Sequence, residues 1–258
     1  LGDVYKRQTG HTSTLHERAG VPTAEEVTAN PRLSEAQKIL SDANAYAAEQ
    51  GNKMVATLND KITTGWDAAK AANRGGFDQR HLESTMGHLV ADMYLSAANS
   101  TGRTPADIGI VNPGGLRDEF PNGLRTSLAT EAGDLKVSDA VSVTPFANNL
   151  WTTQLTGAQL KQVLEEQWQQ DASGQMATRP YLQLGLSSNV TYTYTGTTDA
   201  EGYAQRGQHI GQIFVNGKEV QPTDTFTVAI PSFLLGGGDN FTTLSQGTDP
   251  VSYTHLTL

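Results

Sequence analysis

The sequence contains no cysteine, which excludes disulfides and thiol chemistry. That absence is compatible with export to an oxidising compartment and does not require it. Positive charge is also scarce: 18 Lys and Arg against 27 Asp and Glu leave a formal charge of -9, which argues against binding a nucleic-acid polymer non-specifically. No apolar run approaches the ~20 residues that a membrane-spanning helix requires. Internal repeats, low-complexity tracts and long charge runs are missing too. The six histidines, His11, His16, His81, His88, His209 and His255, do not cluster as metal ligands do. What remains is a chain of 258 residues, long enough to bury a sizeable core.

The first residue is Leu1 and no charged-then-apolar secretion signal follows it, so the chain reads as a fragment. The two ends, LGDVYKRQ and VSYTHLTL, lack continuity with their neighbours and resemble translated sequencing-adaptor remnants. Residues 1–31, polar and turn-prone, are expected to be a linker with a non-native start. Residues 32–250 are expected to be one domain, and 251–258 a non-native tail.

Ser34 and Gln37 make a capping-box pattern before an Ala-rich helix that Gly51 would close. Met54 to Leu58 reads as a strand. Between Glu83 and Ala98, the apolar residues Met86, Leu89, Val90, Met93 and Ala97 recur at helical spacing and predict a core-facing helix. Ile108 to Val111 is a buried strand leaving through a Pro-Gly-Gly turn. Val137 to Thr144 and Leu150 to Leu155 read as strands, separated by Pro145 to Asn149. Thr156 and Gln159 form a second capping box, stapled by Leu155 and Leu160. Strands follow at Tyr181 to Leu186, Val190 to Thr195 and Ile210 to Val215, the last turning back at Asn216-Gly217. Thr225 to Ile230 places Phe226, Val228 and Ile230 on one side. Interleaved strands and helices followed by a strand-rich half predict an α+β, or mixed α/β, domain.

Three stretches carry unusual loop residues: NPGGLRDEF with Asn112 and Arg117, VTPFANNL with Phe146 and Asn148, and PSFLLGGGDNF with Phe233 and Asp239. Loops at strand ends are where binding sites are built. In the last stretch, an aromatic and a carboxylate flank consecutive glycines, an arrangement suited to stacking on a flat ring and accepting hydrogen bonds from its hydroxyls. The same residues also fit a tight turn with a core Phe and an Asx cap, Phe146 fits a core plug, and Arg117 fits an ion pair with Asp118 or Glu119.

In this order and spacing, the three motifs resemble the C-terminal substrate-binding domain of the 5'-nucleotidase and UDP-sugar hydrolase family, over roughly Met54 to Thr243. A fourth match is an arginine six residues ahead of the Met86-Gly87 pair, which is Arg80, with Arg74 competing for the same role. His88 stands where the family often has asparagine. The resemblance implies a mixed sheet packed with helices. It implies that Phe146 and Phe233 sandwich a nucleobase, that Asp239 binds ribose hydroxyls and that Asn148 lies at the base edge. Asn112, Arg117 and Arg80 would hold the phosphate side.

The family's chemistry is phosphate-ester hydrolysis by a pair of divalent metals, Zn, Mn or Mg, held in an N-terminal metallophosphatase domain by motifs such as DxH and GNHD. Neither motif occurs here. The resemblance therefore implies the specificity half of a nucleoside 5'-monophosphate hydrolase, inactive alone. Its partners would be the nucleotide and the catalytic domain of the parent chain, and its location extracellular, wall-associated or periplasmic. Hydrolysis of UDP-sugars or 2',3'-cyclic nucleotides by the same build, and a non-catalytic nucleotide-binding module, are the alternatives.

Overall fold

The computed structural model describes residues 20–58, 62–65, 67, 79–100, 102, 105–117, 133–171, 173–195 and 207–253. The chain divides into two compact units, residues 1–50 and 51–258.

In the first unit the expected linker contains a helix, α1 (Ala24–Ala29). Its cap is reciprocal: Thr23 Oγ1 accepts from the Glu26 N–H at 3.3 Å, and the Glu26 carboxylate accepts from the Thr23 N–H at 2.8 Å. The long helix α2 (Pro31–Gly51) starts three residues before the expected Ser34 cap. Pro31 opens it, because proline loses nothing where the first N–H groups are unpaired, and Asn30 Oδ1 takes the Arg32 N–H at 3.0 Å. Ser34 is inside the helix, its hydroxyl donating to the Val27 carbonyl at 2.7 Å.

The second unit begins with β1 (Met54–Leu58). Next comes α3 (Thr85–Asn99), whose Ser84 cap accepts from the Gly87 N–H at 3.0 Å. It leads through a loop to β2 (Ile108–Val111), all four of whose residues are buried. β3 (Gly133–Lys136) pairs antiparallel with β1. The strand expected at Val137–Thr144 is a helix, α4 (Val137–Val143). Its β-branched residues suggested a strand, but the Asp139 carboxylate takes the Lys136 N–H at 2.9 Å and fixes a helical first turn. Asp139 and Val143, four apart, are the buried pair.

β4 (Leu150–Thr156) runs directly into α5 (Gly157–Glu165), where the Thr156–Gln159 capping box forms as expected. β5 (Trp168–Gln170) and β6 (Met176–Tyr181) make a ribbon. The strand expected over Tyr181 to Leu186 is broken after Tyr181, and its end is the short β7 (Gly185–Leu186). Between them the Gln183 N–H turns to the Arg80 carbonyl at 2.8 Å, and the Leu184 N–H to the Gln167 side chain at 2.9 Å. β8 (Val190–Tyr194), β9 (Ile210–Val215) and β10 (Lys218–Glu219) form a three-stranded sheet. Its last hairpin turns at Asn216 and Gly217, both with positive φ, which gives the primed turn that suits strand twist.

β11 (Thr225–Pro231) lies between β4, antiparallel, and β2, parallel, in a five-stranded sheet of order β12-β4-β11-β2-β7. A helical turn, α6 (Ser232–Leu235), follows β11, and β12 (Thr248–Tyr253) closes the sheet edge. The first three residues of the expected tail thus belong to a strand, Tyr253 pairing with Leu150. One face of the sheet packs Ile108, Ile110, Leu155, Val228 and Ile230 against Leu160, Leu164 and Trp168. Ala229 points the other way, with Ala98 and Ala106 beside α3.

This sandwiching sets where the site lies. The C-terminal ends of the parallel strands β2 and β11 point the same way, and the start of antiparallel β4 lies beside the end of β11. All three loops of interest therefore leave the same edge of the sheet.

Candidate functional site

Asn112 follows the last residue of β2 and is 3% exposed. Pro113 to Gly115 form a single 3-10 turn, closed by the Gly115 N–H on the Asn112 carbonyl at 3.0 Å. The chain then ties to α4, the Arg117 N–H donating to the Val143 carbonyl at 2.7 Å. Arg117 Nε donates back to the Gly114 carbonyl at 3.1 Å, and its guanidinium carbon stands 5.1 Å from the centre of the Phe146 ring. The ring's negative face and the cation attract each other.

Phe146 sits in the loop between α4 and β4, followed by Ala147 at φ 50°. Asn148 Oδ1 accepts from the Ser232 hydroxyl at 3.1 Å, and the Asn149 carbonyl accepts from the Ser232 N–H at 2.8 Å. These two bonds join the Phe146 loop to α6, which carries Phe233. The turn is anchored by Leu234, wholly buried, and leaves Phe233 outside the core.

The three glycines lead into Asp239 and Asn240, both with positive φ, a conformation that Asp and Asn tolerate better than other side chains. At Gly238 an added Cβ would lie 2.5 Å from Cε1 and 2.6 Å from Cζ of Phe233, so this glycine makes room for that ring. Asn240 donates to Gln169 Oε1 at 3.1 Å and to the Gln170 carbonyl at 3.2 Å. Phe241 is wholly buried and fixes the loop's far end. Asp239 Oδ2 accepts from Asn112 Nδ2 at 2.7 Å, linking two motifs 127 positions apart. A Cβ on Gly114 would meet Asp239 Oδ2 at 3.1 Å and Arg80 Nη1 at 3.2 Å. The Arg80 guanidinium therefore approaches the same corner.

All seven residues singled out in the sequence, Arg80, Asn112, Arg117, Phe146, Asn148, Phe233 and Asp239, line one pocket of about 430 Å³, with Gly114 and Gly115. Phe146 is 53% and Phe233 44% exposed, so neither ring is a core plug; Phe241 takes that place. Arg74, Asp118 and Glu119 lie outside the described residues. The pocket offers two guanidinium groups, two accessible aromatic rings, a carboxylate and two amides. Such a set can hold an anion, a flat ring and a diol together.

Sequence reasoning missed the residues that hold this site. Glu166 is buried, and its carboxylate accepts from the Thr243 N–H at 3.1 Å, the Thr243 hydroxyl at 2.8 Å and the Thr242 hydroxyl at 3.0 Å. It steadies the segment just after Asp239. The signal was absent locally, because the partners lie 76 or 77 positions away. Ser232, Gly114 and Gly238 were visible as loop residues, but not as partners of Asn148, Arg80 and Phe233.

Among the described residues no group of three His, Cys, Asp or Glu converges as metal ligands would. His88 is committed elsewhere, with Nδ1 2.9 Å from the Leu186 carbonyl and Nε2 2.8 Å from the Glu83 carboxylate. His209 lies flat on Trp168, ring centres 3.9 Å apart. The described side chains do not fit a metal pair.

Residues 62–246 match the family described as 5'-nucleotidase, C-terminal domain. This chain belongs to that family. A 5'-nucleotidase of Vibrio vulnificus is 27% identical over 166 residues, covering 64% of this chain and 24% of that protein. A cell wall protein of Listeria monocytogenes is 28% identical over 166 residues, covering 64% of this chain and 19% of that protein. The crystal structure of a 5'-nucleotidase precursor from Thermus thermophilus shares the fold, with a TM-score of 0.55 at 21% identity, over 86% of this chain and 38% of that one. The chain thus spans about a quarter or less of the length of these two curated relatives. The mixed helix-and-sheet architecture expected from the sequence is that of the 5'-nucleotidase C-terminal domain.

Proposed function

We propose that this chain is the substrate-specificity domain of a metallophosphatase that hydrolyses nucleoside 5'-monophosphates, as part of nucleotide breakdown and salvage. The observation that carries this reading is the convergence of seven residues from four separate segments on one pocket, with two exposed aromatic rings, a carboxylate and two arginines. Phe146 and Phe233 stack on the base, Asn148 meets its edge, and Asp239 accepts from the ribose hydroxyls. Arg80, Asn112 and Arg117 hold the phosphate. The bond from Asn112 to Asp239 orients the carboxylate, and the bond from Ser232 leaves the Asn148 amide N–H available to an acceptor on the base.

The divalent metal pair, Zn, Mn or Mg, belongs in this proposal to an N-terminal metallophosphatase domain of the parent chain. The chain's own task is to bind and orient the nucleotide, and the parent protein acts outside the cytoplasm, at the wall or in the periplasm. The purified chain is therefore expected to bind AMP without releasing phosphate from it when Zn, Mn or Mg is added.

The test is calorimetric titration with AMP, adenosine, a UDP-sugar and inorganic phosphate. Saturable binding of AMP, tighter than adenosine or phosphate alone, is expected. A UDP-sugar binding more tightly than AMP would favour the UDP-sugar hydrolase instead. No saturable binding of any nucleoside or nucleotide would overturn the assignment.

A further inference from the structure

Beside this pocket lies a second compartment, of about 290 Å³. Asn112, Gly115, Phe146 and Asn148 line both chambers, so the two adjoin at the Phe146–Asn148 loop. Ala147, held at φ 50° in that loop, faces the second chamber as well. The two chambers differ in charge. The first holds Arg80, Arg117 and Asp239, whereas no charged side chain among the described residues lines the second. Its walls include Met93, Tyr94 and Ala97 from α3, with Val111 and Leu150 from the ends of β2 and β4, and the polar Thr144 and Asn149 as well. Burial pushes the Tyr94 phenol up to about 12, so at neutral pH it adds a hydroxyl and no charge.

Uncharged space, walled more by apolar than by polar surface and adjoining a charged pocket, is suited to the apolar part of a ligand. A ring stacked on Phe146 with its edge at Asn148 has that edge where the two chambers adjoin. We propose that the second compartment is a specificity subsite that takes an aliphatic substituent on the edge of the clamped ring, making alkylated nucleosides and nucleotides better ligands than unmodified ones. This rests on the placement of the base between Phe146 and Phe233. Each methylene moved from water into apolar surroundings tightens binding about fourfold, so a partly buried five-carbon chain is worth at least about tenfold.

The test is titration of the protein with adenosine and with adenosines carrying an isopentyl group at N6, C2 or C8. At least one derivative is expected to bind about tenfold or more tightly than adenosine. Ala97→Leu and Met93→Trp each fill the second compartment from residues that do not line the first. Either is expected to abolish the gain while leaving adenosine binding within about twofold of the parent. If no derivative surpasses adenosine on the parent protein, the subsite is wrong and the nucleotide pocket stands. A gain that survives in both filled variants would overturn the subsite equally. If adenosine itself does not bind, the pocket reading falls and takes the subsite with it.

Discussion

Arg117 serves two partners at once, with its guanidinium over the Phe146 ring and its Nε on the Gly114 carbonyl. Replacing it with Ala would remove the proposed phosphate contact, and about 1.5–3 kcal/mol of nucleotide affinity is expected to go with it, the range for a hydrogen bond to a charged group. Adenosine lacks the phosphate and is expected to lose less than about 1 kcal/mol, the scale of an exposed cation–π contact. Equal losses for AMP and adenosine would contradict the phosphate role. At Phe233 the ring matters more than its substituent, so Phe233→Tyr is expected to keep adenosine binding that Phe233→Ala loses.

Buried phenols make a separate prediction. Burial raises Tyr94 to about 12 and raises Tyr181 as well, its burial reinforced by the neighbouring Tyr192. The unfolded chain ionises these groups near pH ~10, before the folded protein does. The stability they contribute is therefore whole below about pH 10 and is lost as pH rises through the folded values. Thermal melts are expected to hold steady to about pH 9.5 and then fall, less steeply in Tyr94→Phe. An unchanged fall in that variant would contradict this account of Tyr94.

Among the elements, the loop from α6 to Phe241 is held by packing and by remote hydrogen bonds. Gly238→Ala would drive a methyl into the Phe233 ring and into the Phe233 carbonyl, which a Cβ would approach to 2.6 Å. It is expected to weaken adenosine binding by about 1–3 kcal/mol, the worth of one base–aromatic stack. Unchanged affinity would show that Gly238 does not set the ring. Glu166→Ala strips acceptors from Thr242 and Thr243 and is expected to cost about 2–5 kcal/mol in urea denaturation, with Glu166→Gln milder. A loss below about 0.5 kcal/mol for Glu166→Ala, the size of an ordinary surface substitution, would contradict the anchoring role.

Elements with reciprocal local signals were legible. Thr156 with Gln159, Asn216 with Gly217, and Met86 with Val90 announced themselves within a few residues, whereas Leu89 of the same expected stripe is exposed. Of the two elements misplaced, one turns on a local bond and the other on distant partners. Val137 to Val143 looks like a strand until Asp139 takes the Lys136 N–H. Tyr181 to Leu186 looks continuous until its backbone turns to Arg80 and Gln167. Six of the pocket residues were legible because each sits in a short motif beside a strand end, and Arg80 because of its spacing ahead of Met86 and Gly87. Their supports, Glu166 above all, were not, because a buried carboxylate and a solvated one look alike in sequence.

In the whole molecule, one sheet edge gathers loops from β2, β4 and β11, and this is why residues as far apart as Asn112 and Asp239 share a pocket, which Arg80 reaches from the segment ahead of α3. The central claim is that Phe146 and Phe233 face a ligand and not the core, and it predicts a particular separation of stability from binding. A core Phe truncated to Ala costs about 3–5 kcal/mol of folding stability. A ring left about half exposed costs far less. The measurement is a thermal melt and an adenosine titration on Phe146→Ala and Phe233→Ala, beside the parent. Melting points close to the parent's and adenosine affinity lower by about 1–3 kcal/mol are expected in each variant. Two variants that melt far below the parent while their folded fraction binds adenosine normally would contradict it.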